Sequence, residues 1–223
     1  MIDLHGAPWY LIREDDAWVT STLAGMTQEE KIGQLFCLTG VDNKPETLRQ
    51  MVKKHQPGAW MHRAAPAKEL LEANRVLQES SRLPMLIAAN LESGGNGVAV
   101  EGTHFGKQMG IAATSDVTMA ERLGGVCGRE GTALGCNWAF APIVDIDNNW
   151  RNPITNVRTY GSDAETVLHM ANGYIRGMKV SCADMAYCIK HFPGDGVDER
   201  DQHLTPTVNS LSADQWRQTY GHV

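Results

Sequence analysis

The chain has 223 residues, of which 42% are hydrophobic and 21% charged, so it has a globular composition and is long enough for one large domain. Its net charge is −6, and no clustered stripe of lysine and arginine is present to neutralise phosphates, which argues against a nucleic-acid partner. No run of 18 apolar residues occurs, and no basic segment precedes an apolar signal run. The sequence therefore predicts a soluble, unexported, cytoplasmic protein without a membrane partner.

The five cysteines are odd in number, show no C-x-x-C spacing and mostly lie in apolar stretches. They are Cys37, Cys127, Cys136, Cys182 and Cys188. Reduced, buried thiols are expected, with no disulfide framework and no cysteine metal site.

From Thr27 onward, helical patterns alternate with short apolar runs. Pro45 and Pro66 suit first-turn helix positions, where a missing N–H costs nothing. Three capping boxes mark helix starts, namely Thr27 with Glu30, Ser162 with Glu165 and Ser212 with Gln215. The apolar spacing predicts helices over residues 28–36, 45–55, 66–81, 117–134, 164–179 and 213–223.

The apolar runs between these helices are short and bounded by turn residues, which is typical of buried parallel strands. They cover residues 35–39, 59–62, 85–89, 138–144 and 185–189. Five βα units without a GxGxxG fingerprint favour an α/β fold of the (β/α)8 TIM-barrel type over a dinucleotide-binding sheet. Residues 1–223 would then form the N-terminal part of a single barrel domain, with strands 1 to 5 present and about three units absent.

Polar residues follow the last three predicted strands, where a parallel barrel places its reactive groups. Asn90 and Glu92 follow the third strand, residues 145–161 follow the fourth, and the sequence KHFPGDGVDERDQH, residues 190–203, follows the fifth. Asp201 and His203 are two residues apart, so in an extended stretch their side chains point to the same side. A carboxylate beside an imidazole fixes its tautomer, as a proton donor near neutral pH requires.

Each of these residues also has a plainer interpretation. His203 would otherwise be a solvated loop histidine, and Arg158 would form a buried ion pair with Asp145 or Asp163. Glu92 fits a hydrogen-bonding role behind the site as well as a direct role in it. A metal site is disfavoured because the spacing of its candidate ligands matches no familiar set. Those ligands are His191, Asp195, Asp198, Asp201 and His203.

The segment from Lys190 to His203 resembles the signature of the family 3 glycoside hydrolases, in their β-N-acetylglucosaminidase branch. That signature is K-H-F-P-G-H-G, four residues and then D-x-H, and the spacing here is identical. Similar segments at residues 26–35, 141–145, 152–153 and 158–161 extend the resemblance over nearly the whole chain. It implies a retaining β-glycoside hydrolase without metal or cofactor, most readily a β-N-acetylhexosaminidase, with a β-glucosidase or another exo-glycosidase as the alternative.

The resemblance also implies residue roles. His203 would be the general acid/base and Asp201 its orienting partner, while Lys190, His191 and Arg158 would hold the hydroxyls of a terminal β-linked sugar. Asn90 and Glu92 complete the set of predicted substrate-binding residues.

The sequence departs from the family pattern at three places. Asn90 stands where the family commonly has an aspartate that binds distal hydroxyls. Asn96 and Gly97 stand where the branch favours an arginine, and Asp195 replaces a histidine. These departures affect recognition of the N-acetyl sugar more than the barrel or the acid/base.

The family's nucleophile is an aspartate on a later barrel strand, and a retaining glycosidase needs it about 5 Å from the acid/base. Beyond His203 the sequence offers only Asp214, in a predicted helix, so a fragment inactive alone is expected. An open half-barrel would also expose an edge strand and favour self-association. Two further hypotheses are phosphorolysis, since an imidazole acid/base tolerates an attacking phosphate, and a non-catalytic glycan-binding or assembly subunit.

Overall fold

The computed structural model describes residues 3–7 and 9–223 and contains one sheet of five parallel strands in the order β1-β2-β3-β4-β5. The strands are β1 (Cys37–Thr39), β2 (Ala59–His62), β3 (Leu86–Ala89), β4 (Trp138–Ala139) and β5 (Ala186–Tyr187). Within the described residues β1 pairs only with β2, and β5 only with β4, so the sheet is open. The predicted α/β class and the incomplete five-strand barrel are confirmed, whereas the domain boundaries and self-association stay predictions.

Helices connect the successive strands. They are α1 (Arg13–Ala24), α2 (Gln28–Gly33), α3 (Pro45–His55), α4 (Ala67–Ser80), α5 (Gln108–Ala112), α6 (Val117–Ala133), α7 (Ala164–Ser181) and α8 (Ala213–Gln218). All six predicted helices are present, whereas α1 and the short α5 are additions that the sequence analysis missed. In the part of the chain that the structure describes, no helix combines the length and the apolar character needed to cross a membrane.

Side-chain caps begin four of these helices, and Asp116 caps α6 by accepting a hydrogen bond from Thr118 N at 2.9 Å. Thr27 and Ser212 form the predicted capping boxes of α2 and α8. The predicted box at Ser162 is wrong, because Asp163 is the N-cap of α7 and accepts a hydrogen bond from Thr166 N at 2.8 Å. Aspartate caps a helix as well as serine does, and Asp163 lies one residue closer than Ser162 to the first residue of α7.

The strand register separates two faces of the sheet. Leu38, Trp60 and Ile87 are register partners on the face that packs against the helices, where Trp60 and Ile87 are fully buried. Cys37 and Leu86 lie in the next register row, on the opposite face, and both are exposed. The burial expected of the thiols is confirmed for Cys127 and Cys136, is only partial for Cys182 and Cys188, and is wrong for Cys37. The hydrophobic core lies between the sheet and its helices.

The strand predicted over residues 138–144 is shorter in the structure, because only Trp138 and Ala139 pair as β4. Pro142 has no N–H to continue the ladder. The chain nevertheless remains alongside the β5 segment, since Ile143 forms an isolated parallel bridge with Lys190. This bridge places the residues that follow β4 next to those that follow β5.

Glycines allow α6 and α7 to pack at close range. A Cβ atom built on Gly124 would lie 1.9 Å from Tyr174 O, and one built on Gly177 would lie 1.9 Å from Glu121 O. Both acceptors are backbone atoms of the facing helix, so they cannot rotate away as a flexible side chain would. The separation of the two helices is therefore set by residues without side chains.

We expect Gly124→Ala to lower the free energy of unfolding by about 1–3 kcal/mol, because the new methyl group forces α6 away from α7. The matched control is Gly110→Ala on α5, where an added Cβ meets nothing within 4 Å. Alanine is the better helix former, so this control should be neutral or stabilising by about 0.5–1 kcal/mol. Urea unfolding curves measure both changes. Equal effects of the two substitutions would contradict the packing argument.

Candidate active site

An ion-pair cluster centred on Glu92 lies at the carboxyl ends of β3, β4 and β5. Arg158 donates from Nε to Glu92 Oε2 at 3.0 Å and from Nη2 to Oε1 at 2.8 Å. Lys190 Nζ lies 2.6 Å from the same Oε1. The planar fork of arginine matches both carboxylate oxygens, so the arrangement is geometrically specific. One carboxylate thus connects the segments that follow three different strands.

Burial and charge act against each other in this cluster. Burial raises the pKa of Glu92, but the hydrogen bond from Arg158 and the charges of Lys190 and Arg158 outweigh it, and the pKa is lowered. The pKa of Lys190 is lowered by burial, which the charge of Glu92 and its hydrogen bond only partly offset. Glu92 is therefore ionised near neutral pH, and the cluster holds two cations around one anion.

Two buried side chains of α6 and α7 hold the segment that carries Glu92. Tyr174 OH donates to Leu91 O at 2.6 Å, and Cys127 Sγ lies 3.1 Å from the same oxygen. Gly94 follows with φ at +131°, a conformation that residues with a side chain rarely adopt. The close helix pair thereby fixes the position of Glu92.

A second group of polar contacts surrounds His191. Asp145 is completely buried, and its Oδ2 lies 2.6 Å from His191 Nδ1. The other oxygen, Oδ1, accepts the backbone N–H of Asp195 at 2.7 Å. Asp195 Oδ2 is also near His191 Nδ1, at 3.5 Å, and the pKa of Asp195 is raised, chiefly by burial. Because Nδ1 faces a carboxylate, it carries the donated proton, and Nε2 is left for a ligand.

Asp201 and His203 form the predicted pair. His203 Nδ1 lies 2.7 Å from Asp201 Oδ1, and the same oxygen accepts the backbone N–H of His203 at 2.8 Å. These hydrogen bonds from His203 lower the pKa of Asp201. The His203 side chain is 76% exposed, which leaves Nε2 open to a substrate.

The His203 loop is held against the segment that follows β4. A cavity of about 240 Å³ is lined by both His191 and His203. Asn149 Nδ2 donates to Val197 O and Asp198 O at 3.2 and 3.1 Å, and Asn152 Nδ2 donates to Asp195 O at 2.5 Å. His203 and the candidate sugar-binding residue His191 therefore open onto one space.

The segment around α8 supports the same loop from the other side. Trp216 Nε1 donates to Pro193 O at 2.5 Å, and Tyr220 OH donates to Ile146 O at 2.6 Å. The Tyr220 ring lies where a Cβ on Gly194 would be, at 2.3 Å from the ring atom Cδ1. Gly194 has φ at +117°, so both space and backbone conformation require glycine there.

The structure brings together four of the five predicted sugar-binding residues, since Lys190 Nζ also donates to Asn90 Oδ1 at 2.9 Å. The plainer interpretation of Arg158, a buried ion pair with Asp145 or Asp163, named the wrong partner, because Arg158 pairs with Glu92. Asp145 was not predicted as a site residue, although its position just beyond an apolar strand was a usable signal. Within residues 3–7 and 9–223 no three His, Cys, Asp or Glu side chains are arranged to hold a metal ion.

We expect Glu92→Gln to lower the free energy of unfolding by about 3–5 kcal/mol at pH 7, because Arg158 and Lys190 lose their shared carboxylate. The pKa of Glu92 lies below its ordinary value of 4.5, so this contribution is fully present above that pH and is lost as the pH falls further. Urea unfolding at pH 7 and pH 3 measures the difference.

The matched control is Glu121→Gln, which breaks an exposed ion pair with Arg176. Its cost should stay within about 1 kcal/mol at both pH values. A cost of Glu92→Gln that is no larger than this, or that persists unchanged at pH 3, would overturn the assigned role of Glu92.

Sequence comparison identifies related proteins. The profile of the Glycosyl hydrolase family 3 N terminal domain matches residues 27–222. The beta-N-acetylglucosaminidase/beta-glucosidase of Cellulomonas fimi is 46% identical over 223 residues, which are 100% of this chain and 39% of that protein. A beta-hexosaminidase of Pseudomonas aeruginosa (strain LESB58) is 31% identical over 159 residues, covering 70% of this chain and 45% of the relative.

Solved structures agree with these relationships. The beta-glucoside phosphorylase BglX bound to 2FGlc superposes with a TM-score of 0.92 at 49% identity, covering 98% of this chain and 39% of that one. The family 3 beta-N-acetylglucosaminidase from Paenibacillus sp. str. FPU-7 gives a TM-score of 0.74 at 29% identity, covering 88% and 39%. The chain thus spans less than half the length of these relatives, and it belongs to glycosyl hydrolase family 3, with residues 27–222 matching the N-terminal domain of that family.

Proposed function

We propose that this domain supplies the sugar-binding cluster and the acid/base of a retaining enzyme that removes terminal β-linked N-acetylglucosamine. A β-glucosidase is the alternative. The observation that carries the proposal is the His203–Asp201 pair, joined at 2.7 Å, whose free imidazole nitrogen opens onto the cavity that His191 also lines. The similarity to the Cellulomonas fimi enzyme, named for both activities, supports this substrate class.

The geometry suits proton transfer at one atom. Asp201 holds the proton on Nδ1 of His203, so protonated Nε2 can donate to the leaving oxygen as the glycosidic bond breaks. A carboxylate elsewhere in the enzyme takes the sugar as a glycosyl ester. In the second half-reaction, neutral Nε2 accepts a proton from the attacking water. Asp201 stabilises the imidazolium without itself taking up a proton.

The sugar itself is held by groups of opposite polarity. Arg158 and Lys190 present cationic donors on one side, and His191 presents Nε2 on another. Sugar hydroxyls both donate and accept hydrogen bonds, so a cluster of mixed polarity holds them in a fixed orientation. Rigid placement by Glu92 and Asp145 keeps these groups in position before the substrate arrives.

We expect His203→Ala to lower kcat/KM for a β-glycoside with a poor alkyl leaving group by about 10²–10⁴-fold, because departure of the alkoxide needs a proton. With a 2,4-dinitrophenyl glycoside as substrate, His203→Ala should slow the step that breaks the glycosidic bond much less. Initial rates on both substrates, measured with the complete gene product on β-N-acetylglucosaminides and β-glucosides, test the mechanism and the choice of sugar.

The matched control is His169→Ala, since His169 is an exposed histidine on α7. It should leave both rates unchanged. An equal loss on the two leaving groups would contradict the acid role of His203. Sugar binding without any turnover would instead favour a non-catalytic glycan-binding subunit.

Phosphate is a second candidate acceptor. The beta-glucoside phosphorylase BglX is 49% identical to this chain, and this observation favours the alternative. A phosphate dianion needs no base to attack the glycosyl ester, and an imidazole repels it less than a second carboxylate would. Attack by its oxygen breaks the ester, releases the enzyme carboxylate and forms a sugar 1-phosphate.

If phosphate is the acceptor, adding it should raise the steady-state rate on an aryl glycoside, and ³¹P NMR should detect the sugar 1-phosphate. Sodium sulfate at equal ionic strength is the control, because it is a divalent anion that yields no such stable product. Free sugar as the only product, with the same rate change in phosphate and sulfate, would exclude phosphorolysis.

A further inference from the structure

Gln108, the first residue of α5, is a buried polar side chain whose hydrogen-bond partner is the main chain of Ile143. The residue is only 1% exposed. Its Nε2 donates to Ile143 O at 2.8 Å, and its Oε1 accepts the N–H of Ile143 at 3.0 Å. A hydrogen-bonded pair of residues in an antiparallel ladder exchanges both bonds in the same way. The Gln108 amide therefore takes the place of a neighbouring strand beside Ile143.

The segment that follows β4 needs this substitute because it loses β3 as a neighbour. In the part of the chain that the structure describes, the last hydrogen bond between β3 and this segment runs from Phe140 N to Ala89 O, at 2.9 Å. Beyond Ala89 the chain turns, since Leu91 N donates back to Ala89 O at 3.0 Å. Ile143 is fully buried, and a buried main-chain group without a partner is costly. Gln108 thus satisfies both main-chain groups of Ile143 where β3 has turned away.

The opposite edge of the same segment contacts the candidate active site. Val144 N donates to Lys190 O at 2.7 Å, so the main chain that carries Lys190 lies directly alongside. The residue after Val144 is Asp145, whose Oδ2 lies 2.6 Å from His191 Nδ1. The segment is therefore held between Gln108 on one edge and Lys190 on the other.

The helix that carries Gln108 is itself anchored. Ile111, three residues further along α5, is buried in the hydrophobic core. The same helix lies beside the 3-10 turn Asn156–Arg158, which ends with a residue of the Glu92 cluster. A side chain on a packed element can hold its contacts precisely. Gln108 can therefore impose a fixed position on the segment that follows β4.

We propose that Gln108 is a positioning residue, which holds the segment after β4, and through it His191 and Lys190, in the geometry that sugar binding requires. The inference rests on the proposed function and deepens it, because it extends the site to a residue that itself touches no substrate. Loss of the Gln108 amide should weaken sugar recognition in a protein that is still folded.

The experiment uses the complete gene product and Gln108→Met. Methionine has a similar length but no amide, so it cannot exchange both hydrogen bonds with Ile143. We expect kcat/KM to fall by about 10–100-fold, because a displacement of about 1 Å in the site is enough for such a loss. The factor should be the same for an alkyl glycoside and a 2,4-dinitrophenyl glycoside, since both need the sugar-binding groups. A loss confined to the alkyl glycoside, as expected for His203→Ala, would overturn the inference.

The matched control is Gln78→Met, because Gln78 on α4 makes the same pair of hydrogen bonds at the opposite end of the sheet. Its Nε2 donates to Met85 O at 2.9 Å, and its Oε1 accepts the N–H of Met85 at 3.0 Å. Both substitutions should lower the free energy of unfolding, since each leaves main-chain groups unpaired. Only Gln108→Met should lower kcat/KM. Equal kcat/KM values for the two variants would show that Gln108 merely stabilises the fold, and the inference would be wrong.

Isothermal titration calorimetry with N-acetylglucosamine and glucose on the same proteins gives a measurement that needs no turnover. If the wild-type protein binds a sugar but cleaves no glycoside, the proposed function fails. Weaker sugar binding by Gln108→Met than by Gln78→Met would still support the inference, and equal binding would overturn it. A wild-type protein that neither binds nor cleaves overturns both. If Gln108→Met does not fold, Gln108→Glu, which has the same size and keeps the acceptor for the N–H of Ile143, replaces it in each comparison.

Discussion

The geometry of the site depends on the buried carboxylate of Glu92. Its two oxygens accept three charged contacts, two from Arg158 and one from Lys190, and its side chain is only 11% exposed. Burying a carboxylate is costly unless it is paired and hydrogen-bonded, and here both conditions are met. Since Glu92 follows β3, Arg158 lies beyond β4 and Lys190 follows β5, this interaction fixes three segments relative to one another.

The Ile143–Lys190 bridge and the hydrogen bonds of Asn149 and Asn152 join only the second and third of these segments, whereas Glu92 joins all three. Each belongs to a different βα unit, and loops are the least constrained parts of such a fold. The sheet brings the starting points of the three segments to one edge. The ion pairs then restrict the conformations that these segments can adopt. Asp145 adds a second connection of the same kind, because one oxygen contacts His191 and the other accepts the N–H of Asp195. The candidate sugar-binding groups are thus positioned by buried charge, whereas His203 remains exposed.

The fold was largely predictable because its elements follow periodic patterns of apolar residues. The α3 bounds, Pro45–His55, agree in full with the prediction, since Pro45 begins the helix and Gln56 ends it in a left-handed conformation. The pattern failed for α1, which has no buried residue and therefore no apolar stripe facing the core. It also failed for α5, whose five residues are too few to show a helical period. The sequence analysis therefore missed α1 because none of its residues is buried, and it missed α5 because that helix is short.

The site was less predictable, because spacing along the chain reveals neighbours only within one loop. Asp201 and His203 were identified in this way, whereas the contact between Arg158 and Glu92 spans 66 residues. An arginine fork needs a carboxylate with both oxygens available. Asp145 cannot serve, because its oxygens are taken by His191 and the Asp195 backbone. Asp163 cannot serve either, because its Oδ2 caps α7. The choice of Glu92 thus follows from competition among acceptors, which only the folded arrangement decides.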